Sequence, residues 1–225
     1  MCRGREDNKA TILDGTTCEK TAIVKTGERK ELFKKYSGQV LPHPDFKVRL
    51  EKKKLLIPPD AKVESFITEG DKRYVILNVV VSSDADLAVI VLDQPVERRF
   101  PPVALAQSDI KLREPIVTTG YGASEVRDGL AVFTDEDPIR RFGHNVVTKK
   151  EGALFTIEEP GALSLPGDSG GPCFREEAKG PVLVGISSRS SPGRKATFTN
   201  TYRYQRWLAE EIKRADLLQP ISPTR

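Results

Sequence analysis

The residues best suited to chemistry lie in one glycine-rich segment of the second half of the chain. Residues 166–172 read Pro-Gly-Asp-Ser-Gly-Gly-Pro, with Ser169 flanked by glycines. Glycine allows a tight loop whose backbone comes close to a substrate. Adjacent N–H groups in such a loop can point together at a developing oxyanion, and each such donor contributes about 3 kcal/mol to acyl transfer. The segment predicts a nucleophilic serine, and the alternative is an ordinary Gly-Ser surface turn.

The shorter pattern Gly-x-Ser-x-Gly at 167–171 also fits the nucleophile elbow of an α/β-hydrolase. That elbow needs a strand before it and a helix after it, and its acid and histidine follow the serine. Here residues 172–180 lead through a charged turn into a predicted strand at 181–186. The only histidines are His43 and His144, and both precede Ser169. The order of these residues excludes an α/β-hydrolase.

The elements that must position this loop are mostly short runs of β-branched and aromatic residues, separated by glycine and proline. These runs are residues 22–24, 48–50, 63–67, 74–81, 87–92, 116–119 and 181–186. From about Tyr202 to Leu218, apolar residues recur every three or four positions, which predicts a helix that Pro220 ends. Many short strands without intervening helices favour an antiparallel barrel or sandwich, closed by this helix.

Composition excludes several classes of function. The 36 basic and 32 acidic residues give a net charge of +4, and the basic clusters are interleaved with acids, so we expect no nucleic-acid partner. No apolar run approaches the roughly 20 residues that span a bilayer, so we expect no membrane span. No cluster has metal-ligand spacing, so we expect no metal site. Of the three cysteines, Cys2 and Cys18 could form a disulfide bond, leaving Cys173 as a small buried hydrophobe.

Several segments resemble the trypsin/chymotrypsin family of serine proteases. The string Gly-Asp-Ser-Gly-Gly-Pro-Cys at 167–173 is similar to the nucleophile loop of that family. Asp-Leu-Ala-Val-Ile at 86–90 resembles the strand that brings the triad aspartate, and Gly-Tyr-Gly at 120–122 resembles the Gly-Trp-Gly turn. Gly-Ile-Ser-Ser at 185–188 is similar to the cleft strand, and Thr-Phe-Thr at 197–199 is followed by a matching Trp207. The matches keep the order of the family.

The resemblance implies an all-β fold of two antiparallel Greek-key β-barrels with a C-terminal helix. The first barrel, incomplete, would occupy residues 1–100 and the second, with the helix, residues 101–225. The proline- and arginine-rich segment 95–102 would link them, and an insertion of about 47–77 would interrupt the first. The active site would lie between the barrels.

The same resemblance implies the catalytic roles. Ser169 would be the nucleophile, and the N–H groups of Gly167 and Ser169 would form the oxyanion hole. Asp86 would orient the base, since a carboxylate at the start of an apolar strand needs a strong partner. In the family, the aspartate before the serine, here Asp168, pairs with an amino terminus released by proteolysis. No start resembling Ile-Val-Gly-Gly is present here.

The substrate pocket is also implied by position. Leu163 would be its floor, Ala196 its wall and Ser190 its entrance, with Ser188 on the cleft strand. A shallow apolar pocket predicts small or medium apolar residues before the cleaved bond. The family's cysteine pair beside this pocket is missing, with Leu165 at one of its positions. The alternative is therefore a shifted register in which Leu163 belongs to the core.

The base is the unresolved part of the triad. His144 lies between Asp86 and Ser169, which is the wrong place for the family. His43 precedes Asp86, but Pro-His-Pro-Asp-Phe at 42–46 resembles the His-Pro-x-Tyr/Phe loop that the family carries after its catalytic histidine. Cys2 falls where the cysteine following that histidine belongs. We expect the base, and the opening strands of the first barrel, to lie before Met1, with His43 as the alternative base.

These observations predict a serine endopeptidase that acts on protein or peptide substrates through an acyl-enzyme and needs no cofactor. The alternative is an inactive relative, a pseudoprotease that uses the barrel to bind proteins. No signal peptide is visible at the charged N-terminus. By resemblance, the complete protein would be secreted or periplasmic and of bacterial type.

Overall fold

The computed structural model describes residues 21–26, 34–60, 62–98, 100–127, 130–133, 140–191 and 193–218. In the first half the strands are β1 (Thr21–Thr26), β2 (Lys34–Pro42), β3 (Val48–Ile57), β4 (Ile67–Glu69), β5 (Lys72–Ser82) and β6 (Ala88–Leu92). In the second half they are β7 (Ala104–Leu105), β8 (Pro115–Gly120), β9 (Glu125–Arg127), β10 (Leu130–Val132), β11 (Arg141–Glu151), β12 (Leu154–Glu158), β13 (Pro172–Glu177), β14 (Gly180–Ser191) and β15 (Lys195–Asn200). The α-helix α1 (Gln205–Leu218) follows them.

The second half forms a closed antiparallel barrel. Its strands run in the order β13-β8-β11-β12-β15-β14, and pairing of β13 with β14 closes the ring of six. Closure leaves no unpaired edge for another chain to join. The short strand β7 adds to β14 in parallel, and β9 and β10 form a separate hairpin. The barrel confirms the all-β prediction and the barrel architecture that the sequence resemblance implies.

The barrel interior is filled by the inward residues of its strands. Phe155 and Phe198 stack with ring centroids 5.2 Å apart and are completely buried. A Cβ on Gly185 would lie 2.6 Å from the Phe155 ring, so the strand must carry glycine there. Cys173 is a free, fully buried thiol whose pKa is raised by burial, which confirms its predicted role. Cys2 and Cys18 lie outside the described residues.

The first half is more open. β1, β2 and β6 form one three-stranded antiparallel sheet. β3, β5 and β4 form a second three-stranded sheet, which we call the ribbon. The ribbon overlaps the segment predicted as an insertion at 47–77. The domain division at residue 100 stays a prediction.

The C-terminal helix is held to the barrel by a polar cluster around Asp109. The Asn200 side chain accepts a hydrogen bond from the Tyr202 N–H and so caps the 3₁₀ turn Thr201–Tyr204 that leads into α1. Asn200 also donates to Asp109, and Lys150 and Arg203 form ion pairs with the same carboxylate. Burial alone would raise the pKa of Asp109, but these hydrogen bonds and charges hold it below its ordinary value. The helix predicted over 202–218 is confirmed, with its first residues in the 3₁₀ turn.

Among the described residues, no helix is long and apolar enough to cross a membrane.

Truncating the buried aromatic pair tests the barrel core. We expect Phe155→Ala to lower the free energy of unfolding by about 3–5 kcal/mol, because it removes a stacked ring and leaves a cavity. Phe142 lies on neighbouring β11 but is 75% exposed, so Phe142→Ala is the matched control and should change the free energy by about 0.5 kcal/mol or less. Urea unfolding followed by circular dichroism measures both. Equal effects of the two substitutions would contradict this core.

Candidate active site

The loop that carries Ser169 is a tight turn built on glycines. Gly167 and Gly170 have φ angles of +101° and +82°, which only glycine adopts without strain. A Cβ on Gly167 would lie 2.8 Å from the Cα atom of Gly122. The N–H of Gly171 donates to the carbonyl oxygen of Asp168 at 2.8 Å across the turn. Ser169 is exposed at the tip, where a substrate can reach it.

Asp168 anchors this loop from within the barrel. Its carboxylate accepts the backbone N–H of Gly122 at 2.7 Å and that of Leu165 at 2.9 Å. The turn it touches must be made of glycine, since a Cβ on Gly120 would lie 1.9 Å from Oδ1 of Asp168. The residue directly before Ser169 is therefore fixed by two charge-assisted hydrogen bonds. This explains physically why Gly-Tyr-Gly and Gly-Asp-Ser-Gly occur in the same chain.

Asp86 is a buried carboxylate with hydroxyl donors on two sides. It is 6% exposed, and its Oδ2 accepts the Ser188 hydroxyl at 2.7 Å and the Ser82 hydroxyl at 3.0 Å. Its backbone carbonyl accepts the Thr199 hydroxyl at 3.0 Å. A buried carboxylate is costly unless it is hydrogen-bonded. These contacts supply hydrogen-bond donors to the Asp86 side chain at the point where the two halves of the chain meet.

Strand β14 connects the serine loop to Asp86. Ser187 accepts the N–H of Gly170 and donates its own N–H to the carbonyl oxygen of Gly171, both at 2.8 Å. The next residue, Ser188, binds Asp86. The one after it, Arg189, donates Nη2 to the carbonyl oxygens of Ser82 and Ser83 at 2.6 and 3.1 Å. Three consecutive residues of one strand therefore hold both parts of the candidate site.

Sequence reasoning identified Ser188 only as a cleft residue and missed Ser82, Thr199 and Arg189. Ser82 contacts Asp86 four positions away, and Thr199 contacts Asp86 from 113 positions away. Arg189 contacts Ser82 and Ser83, which are 107 and 106 positions away. The hydroxyl of Ser82 carried a local signal, since it lies four residues before Asp86 at the end of a strand. The other two contacts exist only after the strands pair, so nothing in the local sequence indicates them.

The histidines have other surroundings. The His43 ring lies edge-on to Tyr204 and Trp207, with centroid distances of 4.8 Å to each. Its Nδ1 accepts the N–H of Asp45 at 3.1 Å. This ring therefore packs the loop after β2 against the start of α1. His144 is exposed on β11, near Phe142 at a centroid distance of 6.2 Å. Met1 and Cys2, which bear on the expected base, lie outside the described residues.

The residues predicted for the substrate pocket do not line one cavity together. Leu163 packs against the barrel core and lines a cavity of about 430 Å³ that also includes Asp168 and Arg141. Ser188, Ser190 and Ala196 are not among the lining residues of this cavity. Ala196 is completely buried in the core and pairs in register with the exposed Ser190. The four-residue pocket stays a prediction.

Within the described residues, no group of three or more histidine, cysteine, aspartate or glutamate side chains could hold a metal ion.

Comparison with known proteins concerns the family and the fold of this chain. The model of the family described as Trypsin matches residues 40–208. Among solved structures, the chain is similar to neuropsin, a serine protease expressed in the limbic system of mouse brain. The TM-score is 0.56 at 16% identity, over 86% of this chain and 80% of that one, a similarity that concerns the fold alone. No curated protein sequence gives a significant match.

Asp168 can be tested as the anchor of the serine loop. We expect Asp168→Asn to lower the free energy of unfolding by about 1–3 kcal/mol, because an amide can accept only one of the two N–H bonds and leaves a donor unsatisfied. Asp216→Asn, at an exposed position of α1, is the matched control and should change the free energy by about 0.5 kcal/mol or less. Urea unfolding measures both. A change at Asp168 as small as that of the control would show that the anchor is unimportant.

Proposed function

The chain belongs to the trypsin family of serine proteases, and we propose that it provides the nucleophile, acid and oxyanion hole of a serine endopeptidase. Ser169 attacks the carbonyl carbon of a peptide bond and forms an acyl-enzyme, which water then hydrolyses. The N–H groups of Gly167 and Ser169 stabilise the oxyanion. Asp86 orients the histidine that takes the proton from Ser169.

One observation carries this proposal. Neighbouring residues of β14 hydrogen-bond the serine loop and the Asp86 carboxylate, through Ser187 and Ser188 respectively. A nucleophile and an orienting acid must keep a fixed separation if a histidine is to fit between them. A single paired strand is a rigid way to maintain that separation.

The proposed base is a histidine from outside these 225 residues. His43 is packed against aromatic rings, and His144 is exposed on the outer surface of β11. Cys2 matches the cysteine that follows the catalytic histidine in the family, so Met1 stands in the place of that histidine and carries no imidazole. A longer form of the protein that includes such a histidine would be the active enzyme.

The proposed substrates are proteins or peptides with small or medium apolar residues before the cleaved bond. The support is the assignment by position: Leu163 and Ala196 stand where the family places the floor and wall of the pocket, and neither offers a negative charge to a lysine or arginine side chain. Burying such a charged side chain unpaired costs several kcal/mol. We also propose that the complete protein is secreted or periplasmic, as trypsin-like proteases commonly are.

A second candidate function is a protein-binding module without catalysis. The observation behind it is that both histidines of the chain have structural surroundings, since His43 packs against Tyr204 and Trp207 and His144 is exposed on β11; an enzyme whose histidine lies elsewhere agrees with this equally well. In a binding module the barrel and the hydrogen bonds around Asp86 would serve stability alone. The experiments below separate the two.

The first experiment tests the nucleophile in a form of the protein extended to include the histidine. We expect a fluorophosphonate probe to label Ser169, and Ser169→Ala to abolish labelling. Ser124→Ala, at an exposed serine in a bend, should label like the parent. The 225-residue chain alone should label about a thousandfold more slowly, on the scale of losing a triad member. Labelling that survives in Ser169→Ala would refute the nucleophile, and no labelling of any extended form would favour the binding module.

The second experiment tests His43 in the same extended form. We expect His43→Ala to leave turnover within about threefold while lowering the free energy of unfolding by about 1–3 kcal/mol, because two ring contacts are lost. His144→Ala, at an exposed position, should leave both unchanged. If His43→Ala instead lowers kcat about a thousandfold with the fold intact, His43 is the base.

A further inference from the structure

The ribbon exposes an unusual concentration of apolar side chains. Sixteen large hydrophobic residues are exposed in the described chain, and eight of them lie between the start of β3 and the end of β5. These eight are Leu50, Leu55, Leu56, Val63, Phe66, Ile67, Ile76 and Leu77. Exposed apolar side chains concentrated in one part of a soluble protein are typical of interaction sites. The ribbon therefore has the composition of a binding surface.

The ribbon also has an open edge. β3 pairs with β5 along all ten of its residues, from Val48 to Ile57. Within the described residues β3 has no strand on its other side, since the order of this sheet is β3-β5-β4. An open strand of this length presents unpaired N–H and C=O groups to any extended chain. The most direct occupant is another strand.

The charge on β3 is concentrated at its centre. Lys52, Lys53 and Lys54 are consecutive and exposed; Leu55 and Leu56 follow them, and Glu51, which forms an ion pair with Arg49, precedes them. Lys54 forms an ion pair with Glu69 and lies over the Tyr74 ring at 4.1 Å. Lys52 faces Asn78 and Lys53 faces Leu77 across the ribbon, so neither has a carboxylate opposite. Acidic residues at the centre of an added strand would supply those charges.

This pattern argues against two other occupants. A second copy paired antiparallel with Lys53 opposite Lys53 would bring all three lysines opposite lysines, and like charges in directly opposed positions are destabilising. A flat surface such as a membrane would contact one face only. The exposed leucines lie on both faces, because Leu50 and Leu56 point to one side and Leu55 to the other. A strand added at the edge contacts both faces at once.

We propose that the edge of β3 binds an extended segment of a partner protein by strand addition. The segment has acidic residues opposite Lys52–Lys54 and apolar residues on either side. The base of the ribbon adjoins the candidate active site, since Ser82 at the end of β5 contacts both Asp86 and Arg189. A partner bound here lies beside that site, but its binding does not require catalysis.

The test uses the 225-residue protein and a fluorescent nine-residue peptide blocked at both ends, Thr-Leu-Val-Glu-Glu-Glu-Thr-Leu-Thr. In antiparallel pairing its three glutamates face the three lysines. Anisotropy should show saturable binding, and exchange of β3 amide hydrogens should slow about tenfold or more at saturation. Changing Lys52, Lys53 and Lys54 together to glutamate should weaken binding about tenfold or more, since each cross-strand charge pair contributes. The control changes Lys111, Lys179 and Lys213, which are exposed outside the ribbon, to glutamate and should bind like the parent.

Two methylated versions of this peptide test strand pairing with the unmodified protein, in case the charge-reversed variant does not fold. N-methylation of alternate residues, carried out separately on each edge of the peptide, blocks strand pairing from that edge. We expect one of the two methylated peptides to lose binding and the other to keep it. Equal binding by both would overturn strand addition. If the amide hydrogens of β3 exchange more slowly as the protein concentration is raised without peptide, the occupant of the edge is a second copy. If the two triple variants bind the peptide equally well, the partner segment is not acidic.

Discussion

The burial of one carboxylate sets the arrangement of this molecule. Asp86 lies at the junction of the open sheet and the closed barrel with little solvent contact, and a charge in that position must be hydrogen-bonded. Ser82 comes from its own half, whereas Ser188 and Thr199 come from barrel strands. The two halves are thus joined through a polar group that neither could bury alone. Because Ser188 follows the residue that binds the serine loop, satisfying Asp86 also fixes the direction in which Ser169 is presented.

A second carboxylate, that of Asp168, holds the loop that carries Ser169. Asp168 takes two backbone N–H groups from different segments, the glycine turn after β8 and the residues before the loop. Glycine at 120 and 122 is the steric condition for this contact, since a side chain at either would overlap the carboxylate. The positive φ angles at Gly167 and Gly170 are then tolerated without cost. The loop that carries Ser169 is thus held by backbone donors at Asp168.

Much of this could be predicted from sequence, for identifiable reasons. The all-β class followed from the many short runs of β-branched residues. The serine loop, the Gly-Tyr-Gly turn and the strand after Asp86 resemble the trypsin family, and that resemblance implied the barrels. The C-terminal helix was predicted because apolar residues recur there every three or four positions. Arg189 could not be found, because its partners Ser82 and Ser83 are about a hundred residues away and a carbonyl oxygen leaves no trace in the sequence. The pocket residues were assigned by position alone, and the burial of Ala196 depends on barrel packing.

The contrast between the two halves explains why the ribbon is distinctive. The barrel closes its ring of strands and buries its large aromatic side chains, so its surface offers no edge to another chain. The ribbon leaves β3 open within the described residues and its leucines in water, so these side chains contribute none of the stabilisation that burial would bring. Arg189 holds the base of this ribbon to β14 through the carbonyl oxygens of Ser82 and Ser83. A partner bound to the ribbon would therefore contact the segment that leads directly to Asp86. Ser82 joins the ribbon to the candidate site, because its hydroxyl binds Asp86 and its carbonyl oxygen binds Arg189.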